Sequence, residues 1–395
     1  MKLLFLTSRF PYPPHRGDKL KIYNLIKQLS ERHEITLMSF IQSKKELQYV
    51  PAMKEYCARI ETVYLPPWRS WMSCIGKIFS NTPFQNAYFK SSRMSMLLNS
   101  VVSSGSFDIM HIHLIRMAQF CLDRDLSIPT ILDLTDAGSL YLKRFRDTTS
   151  NPFYKLFLNE ELRRISGYER HLENFDKSLV CSDVDRDALL HHAPKAKIDI
   201  LFNGIDIEYY SNHQSTVSEP FRIICTGNMA YHPNADGVLY FVKKIFPLIE
   251  KQISEIELYI VGQSPPGKIS RLSSARIRVT GFVPDIKEEY LKSSVAVAPI
   301  RFGAGTLNKV IEPMALGLPV VTTSLGIEGL PLKNEKDVLV ADTPEEFANA
   351  VVRLLKDPHL RSMLSTNAST IIRSCYDWKV IAASLEHIYR NLGKQ

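Results

Sequence analysis

The sequence contains no run of about 18 apolar residues, the length a membrane-spanning helix requires. Its first apolar stretch, Leu3 to Leu6, stops at Thr7, Ser8 and Arg9. A secretory signal needs an apolar segment of roughly 7–15 residues, so this stretch reads as a first β-strand and the protein as cytoplasmic. Its six cysteines (Cys57, Cys74, Cys121, Cys181, Cys225 and Cys375) lie far apart with no CxxC pair, which argues against a disulfide framework and a zinc site. There is no repeat of fixed period, no low-complexity tract, no nucleic-acid-binding motif and no DxD-like carboxylate pair at a strand end.

What is present is 395 residues of ordinary globular composition, 45% hydrophobic and 23% charged. That length fits two α/β domains of roughly 150–200 residues with a cleft between them. The net charge of +8 is unevenly placed: residues 1–100 carry 15 Lys or Arg against 6 Asp or Glu. One face of the first domain should therefore be basic, which suits a phosphate-bearing partner such as anionic lipid, a lipid diphosphate or, last, nucleic acid.

Apolar, β-branched runs at Leu3–Thr7, Glu34–Phe40, Ile60–Leu65, Asp108–His113, Thr130–Leu134, Ser178–Cys181 and Ile198–Phe202 alternate with helix-period segments such as Lys19–Leu29, Met94–Val102 and Asp183–His191. This alternation predicts a parallel sheet covered by helices. The polar stretch Tyr209 to Pro220 reads as an interdomain linker. A second series follows, with strands at Phe221–Thr226, Ile256–Gly262, Ile277–Gly281, Val295–Ile300, Pro319–Thr323 and Val338–Ala341, and helices at His232–Lys251, Asp285–Lys292 and Thr306–Leu316. Gly227, Gly262 and Gly281 end strands, so they should rim one ligand crevice; each is also an ordinary turn glycine.

The chemistry concentrates in Arg301 to Glu312, RFGAGTLNKVIE, where a strand runs into a Gly-x-Gly turn and then a helix. Glycines permit close approach, and free N–H groups at a helix start favour an anion. Arg301 and Lys309 can add cationic donors to a diphosphate. Glu312 lies three residues beyond Lys309 on the same face and suits sugar hydroxyls; the plainer alternative is an exposed Lys309–Glu312 ion pair. The segment 66–93 carries Trp68, Trp71, Met72, Ile75, Phe79, Phe84, Tyr88 and Phe89, four basic residues and no acid. It reads either as core or as an interfacial helix lying on anionic lipid.

RFGAGTLNKVIE followed by PMALGLPVVTTSLGIEGL resembles the C-terminal signature of the group 1 retaining glycosyltransferases, the glycogen-synthase-like class that builds lipid-linked glycans and exopolysaccharides. FDIMHIH (Phe107 to His113), NGID (Asn203 to Asp206), TGFVPD (Thr280 to Asp285) and the closing YDWKVIAASLEHIY are similar to further elements of that family. The resemblance implies a GT-B fold: two Rossmann-like, doubly wound parallel-sheet domains facing across a cleft, residues 1–207 and 220–375, with the final helix 376–395 crossing back to the first. It implies a nucleotide-sugar donor such as a UDP-sugar, and a saccharide or polyprenyl-diphosphate-linked acceptor. No metal or other cofactor is expected. Glu312 would hold the ribose, Arg301 and Lys309 the leaving diphosphate, and the backbone of Gly303, Ala304, Gly305 and Thr306 the transferred sugar or its phosphates. Gly227, Gly262 and Val283 would rim the donor site, Gly17 would let the first loop approach the sugar phosphate, and His113 would contact the transferred sugar or acceptor.

Three departures stand out: Ala304 replaces a family Glu, the Arg and Lys usual after Gly227 are missing, and a Gly-Gly pair is Gly17-Asp18. Those gaps motivate a non-catalytic nucleotide-sugar-binding assembly subunit as an alternative, beside a nucleotide-sugar epimerase of the same fold. A dehydrogenase fits poorly, because the third glycine of a dinucleotide fingerprint is Asn308.

Overall fold

The computed structural model describes residues 1–122, 127–211, 219–303 and 308–392. The chain divides into two compact units, Met1–Asn203 with Trp378–Gln395, and Gly204–Asp377.

The first unit holds seven strands: β1 (Lys2–Thr7), β2 (Glu34–Ile41), β3 (Arg59–Tyr64), β4 (Ile109–His113), β5 (Thr130–Thr135), β6 (Lys177–Val180) and β7 (Ile198–Ile200). They pair in the order β3-β2-β1-β4-β5-β6-β7, all parallel. The order reverses between β1 and β4, which makes that gap the topological switch point. Every residue of β1 after Lys2 is buried, because the alternating side chains enter two different cores. Leu4 and Leu6 join Met38, Met110 and Leu132 on one face of the sheet. Leu3 and Phe5 join Leu37, Ile109 and Ile131 on the other. That second face is covered by helix α1 (Gly17–Leu29), through Ile22, Leu25, Ile26 and Leu29, and by the C-terminal helix Trp378–Leu392, through Trp378, Ile381, Leu385 and Tyr389. Each such side chain contributes about 1.5–3 kcal/mol by leaving water. Two further helices matter below, α2 (Pro67–Ile75) and α3 (Pro152–Glu169).

The second unit holds β8 (Arg222–Thr226), β9 (Glu257–Val261), β10 (Ile277–Gly281), β11 (Val295–Ala298), β12 (Val320–Thr322) and β13 (Leu339–Val340). They pair in the order β10-β9-β8-β11-β12-β13, again all parallel, and the switch point falls between β8 and β11. Helix α4 (His232–Tyr240) follows β8, and α5 (Asn308–Ala315) follows β11.

Three local features differ from the sequence reading. The helix expected over His232–Lys251 is broken by a π-turn at Phe241–Ile245, just before Pro247, which has no N–H to offer the helical ladder. The division between units falls at Asn203 and Gly204, ahead of the polar stretch read as a linker. Ile207–Ser211 is a short helix of the second unit, while residues 212–218 lie outside the described residues.

Candidate functional site

In the second unit the carboxyl ends of β8, β9 and β10 are zipped by glycine. Gly227 N–H donates to the Val261 carbonyl at 3.1 Å, and Gly262 N–H to the Gly281 carbonyl at 3.0 Å. A Cβ on Gly262, whose φ is +157°, would stand 1.7 Å from the Gly227 carbonyl oxygen; only glycine permits this approach. A Cβ on Gly227 would stand 2.6 Å from the Asn234 amide, so that side chain lies directly on the strand end.

Onto this rim α5 projects its two charged residues. Lys309 donates from Nζ to Asn234 Oδ1, and the Asn234 amide nitrogen donates in turn to the Asn228 carbonyl at 2.9 Å. Burial lowers the Lys309 ammonium to about 8, and no carboxylate among the described residues forms a salt bridge with it. Glu312 accepts from the Tyr290 hydroxyl at 3.3 Å, and that hydroxyl is 2.7 Å from Thr226 Oγ1 at the end of β8. Burial raises the Glu312 carboxyl, opposed by hydrogen bonds from Tyr290, Asn308 and Tyr210. Lys309 and Glu312 are thus both half-buried and each is tied to its own partners, which removes the reading of an exposed Lys309–Glu312 pair. The result is a cation that no carboxylate pairs with among the described residues, beside an oriented carboxylate at the β8/β11 switch point, where open α/β sheets bind ligands.

Arg301 turns along α4 instead. Its Nη1 lies 3.5 Å from Asp236 Oδ2, and its guanidinium sits 4.9 Å from the centre of the Tyr240 ring. Gly303 ends the described part of this loop with φ +156°, and Val283 sits partly buried in the loop after β10. Ala304, Gly305 and Thr306 lie outside the described residues.

In the first unit the β1/β4 switch point is lined by a buried polar network. Lys21 Nζ, on α1, lies 2.8 Å from Oδ1 of Asp133 within β5, both side chains being at most 1% exposed. His111 Nε2 is 3.6 Å from the other oxygen of Asp133, and His111 Nδ1 is 2.8 Å from the Tyr389 hydroxyl of the C-terminal helix. His113 closes β4, and its Nε2 has no hydrogen-bond partner among the described residues. Burial lowers its imidazole to about 3, so it is neutral at ordinary pH. Gly17 opens α1, and a Cβ there would meet nothing. Among the described residues no three His, Cys, Asp or Glu side chains gather as a metal-ligating group.

Residues 220–357, which contain every residue of this second-unit site except Tyr210, match the family described as glycosyl transferases group 1. The second unit is a group 1 glycosyltransferase domain. Over its length the chain is 23% identical to an uncharacterized 44.6 kDa protein in the cps region of Klebsiella pneumoniae, covering 97% of this chain and 98% of that protein. In fold it is similar to sucrose-phosphate synthase from Thermosynechococcus elongatus, with a TM-score of 0.72 at 16% identity over 99% of each chain. It is also similar to HepE of Anabaena solved with UDP, with a TM-score of 0.70 at 14% identity over 99% of this chain and 100% of that one. The architecture is GT-B, two Rossmann-like parallel-sheet domains.

Several residues escaped the sequence reading: Asn234, Tyr290, Tyr210 and Thr226 around Lys309 and Glu312 in the second unit's candidate site and, separately, Lys21 with Asp133 in the first unit's buried network. Asp133 had a visible signal, an acid inside the apolar strand TILDLT. Tyr290 and Asn234 had none, since they meet their partners only across 22 and 75 residues of chain.

Proposed function

We propose that the chain transfers a sugar, with retention of configuration, from a nucleotide-diphosphate sugar to a saccharide or lipid-linked saccharide acceptor in exopolysaccharide- or lipopolysaccharide-type glycan synthesis. The observation that carries this reading is Lys309, a half-buried ammonium held by an amide, with no carboxylate paired to it among the described residues, one helical turn from Glu312. A leaving diphosphate supplies the missing negative charge, and that charge grows as the glycosidic bond breaks, so a fixed cation lowers the barrier. Glu312, held in place by Tyr290, accepts hydrogen bonds from the ribose hydroxyls. Arg301 adds a second, more exposed cation once its contact with Asp236 is exchanged for phosphate. UDP is the nucleotide of choice, since the HepE neighbour was solved with it. No step here calls for a metal ion, and neutral His113 serves as a hydrogen-bonding group toward sugar or acceptor and not as a cation.

The work site is the cytoplasmic face of a membrane. Trp68, Trp71, Met72, Ile75 and Phe79, on and just after α2, are exposed, whereas Phe89 of the same segment is core. The start of α3 adds Phe153, Leu156 and Phe157 to the exposed set, and Phe157 stacks on Phe84 at 5.7 Å, which brings the two surfaces together. Aromatics among Arg69, Lys77 and Lys155 suit an anionic lipid surface.

Transfer is tested by incubating the purified chain with a panel of radiolabelled nucleotide sugars and a membrane lipid extract, with and without EDTA. Label moving into lipid or saccharide at an EDTA-independent rate supports the proposal. Donor binding without transfer would instead identify an assembly subunit, and acceptor-independent conversion of the donor an epimerase.

A further inference from the structure

The basic bias of the first unit has a definite focus. Beyond β1 the chain passes through Ser8 and Arg9, α1 begins at Gly17 and Asp18, and the short helix after β4 carries Arg116. All three segments meet at the β1/β4 switch point. Arg9 Nη1 lies 2.6 Å from Asp18 Oδ2, and Arg116 Nη2 lies 3.6 Å from that same oxygen. Arg16 Nε lies 3.4 Å from Asp18 Oδ1. Arg116 also donates from Nε to Ser8 Oγ at 3.0 Å, and Arg9 and Arg116 both lie against the Phe89 ring, 5.6 and 5.2 Å from its centre.

Three guanidiniums therefore share one carboxylate, in a place where the side chains of Arg9, Arg116 and Asp18 are only 20%, 16% and 17% exposed. An ion pair that only stabilised the fold would balance its charges; Arg9 and Arg116 around Asp18 leave a surplus of one positive charge with little water to screen it, and the half-exposed Arg16 adds a second nearer solvent. Burial and the neighbouring Arg9 lower the Arg116 guanidinium to about 10, the opposite of what a satisfied ion pair does. The next acid facing Arg116 is Asp136, which burial and Asp185 raise to about 7, so at neutral pH it brings only part of a charge. His113, whose Nε2 has no partner among the described residues, is close enough to Asp18 to bear on its ionisation. Surplus cations, a buried imidazole whose Nε2 lacks a partner among the described residues, and a switch-point position together describe a site missing an anion.

We propose that Arg9, Arg16 and Arg116 around Asp18 form a second anion site, which takes a phosphate or diphosphate group of the acceptor. The word acceptor rests on the transferase reading above: the donor's one diphosphate is there assigned to Lys309, so a second phosphate site belongs to the other substrate. The Phe89 ring beneath two of the guanidiniums closes the same segment that begins with the exposed aromatics of α2, which suits a phosphate carried by a lipid.

The test is isothermal titration of the full chain with inorganic pyrophosphate, with UDP present at saturation to fill the second-unit site. The expected result is pyrophosphate binding that survives saturating UDP and weakens at least 10-fold in R9Q and R116Q. R16Q, at a position with a half-exposed side chain, weakens binding less and guards against a folding defect in the other two. Farnesyl diphosphate and glucose 1-phosphate titrated in parallel separate a lipid from a soluble phosphate ester; competition by either with pyrophosphate upholds the site. Unchanged affinity in all three arginine variants, or binding abolished by UDP, overturns it. If the chain binds no UDP at all yet binds pyrophosphate through these arginines, the transferase reading fails and the anion site stands.

Discussion

Replacing Asp133 by Asn should cost the first unit about 3–5 kcal/mol, the range for breaking a buried ion pair by removing one partner. The structure supports the full range. Lys21 Nζ sits 2.8 Å from Asp133 Oδ1, and neither side chain is more than 1% exposed, so the lysine left behind cannot reach water. Asn keeps the shape, and its oxygen can still accept from the Thr135 N–H now 3.1 Å from Asp133 Oδ1, so packing is nearly preserved and the loss is electrostatic. Burial alone would raise the Asp133 carboxyl, but Lys21 and His111 outweigh burial and hold it well below the usual carboxylate range. A group depressed in the folded state stabilises above its unfolded pKa of about 3.9 and loses that contribution as pH falls below it, so the acid-side loss of stability should be shallower in D133N. The K21M/D133L double variant removes both charges and should cost clearly less than D133N alone. Urea denaturation at pH 7 measures the difference, with hydrogen exchange in β1, β4 and β5 isolating the first unit, since a two-unit chain need not unfold in one step. A loss below about 1 kcal/mol for D133N, or a double variant worse than the single, would refute the buried-pair account.

A Gly262→Ala variant must part β9 from β8 to place a methyl 1.7 Å from the Gly227 carbonyl oxygen, and should lose roughly 3 kcal/mol or more together with donor binding; a soluble variant melting within a degree of wild type refutes this. Because the Lys309 ammonium is lowered to about 8, donor affinity should fall as pH rises from 7 to 9, and K309M should show weak binding with no such dependence in a fluorescence titration. The same shift leaves a buried charge below about 8, so wild-type stability should rise with pH between that value and the unfolded lysine pKa of about 10.4. Changing Trp68, Trp71 and Phe79 to Ser, or Phe153, Leu156 and Phe157 to Ser, should each reduce co-sedimentation with anionic vesicles severalfold; unaltered sedimentation removes the lipid-surface proposal.

The sheets were readable because parallel strands buried on both faces leave short, unbroken apolar runs between polar turns, as in KLLFLT, TILDLT and VAVA. The outward-facing apolar set at the start of α3 was not, because it shares its helix with a core-facing one; Phe153 is 84% exposed while Leu158 and Ile165 are buried. In the candidate site, Lys309 and Glu312 follow a local pattern on one helix. What orients them comes from Asn234, Tyr290 and Tyr210, side chains that only the parallel crossovers of the second unit bring to α5. Lys21 lay hidden in a helix of mixed composition, although a lysine between Leu20 and Ile22 on the buried side of α1 was the clue.

The most direct measurement is the thermal shift of the chain across a panel of nucleotide sugars, in EDTA, for wild type and Glu312→Ala. The account predicts that at least one UDP-sugar raises the wild-type melting temperature in the presence of EDTA, and that E312A, folded and melting near the unliganded wild type, loses that shift. An undiminished shift in E312A, or no shift with any nucleotide sugar, would contradict a donor site built on Lys309 and Glu312.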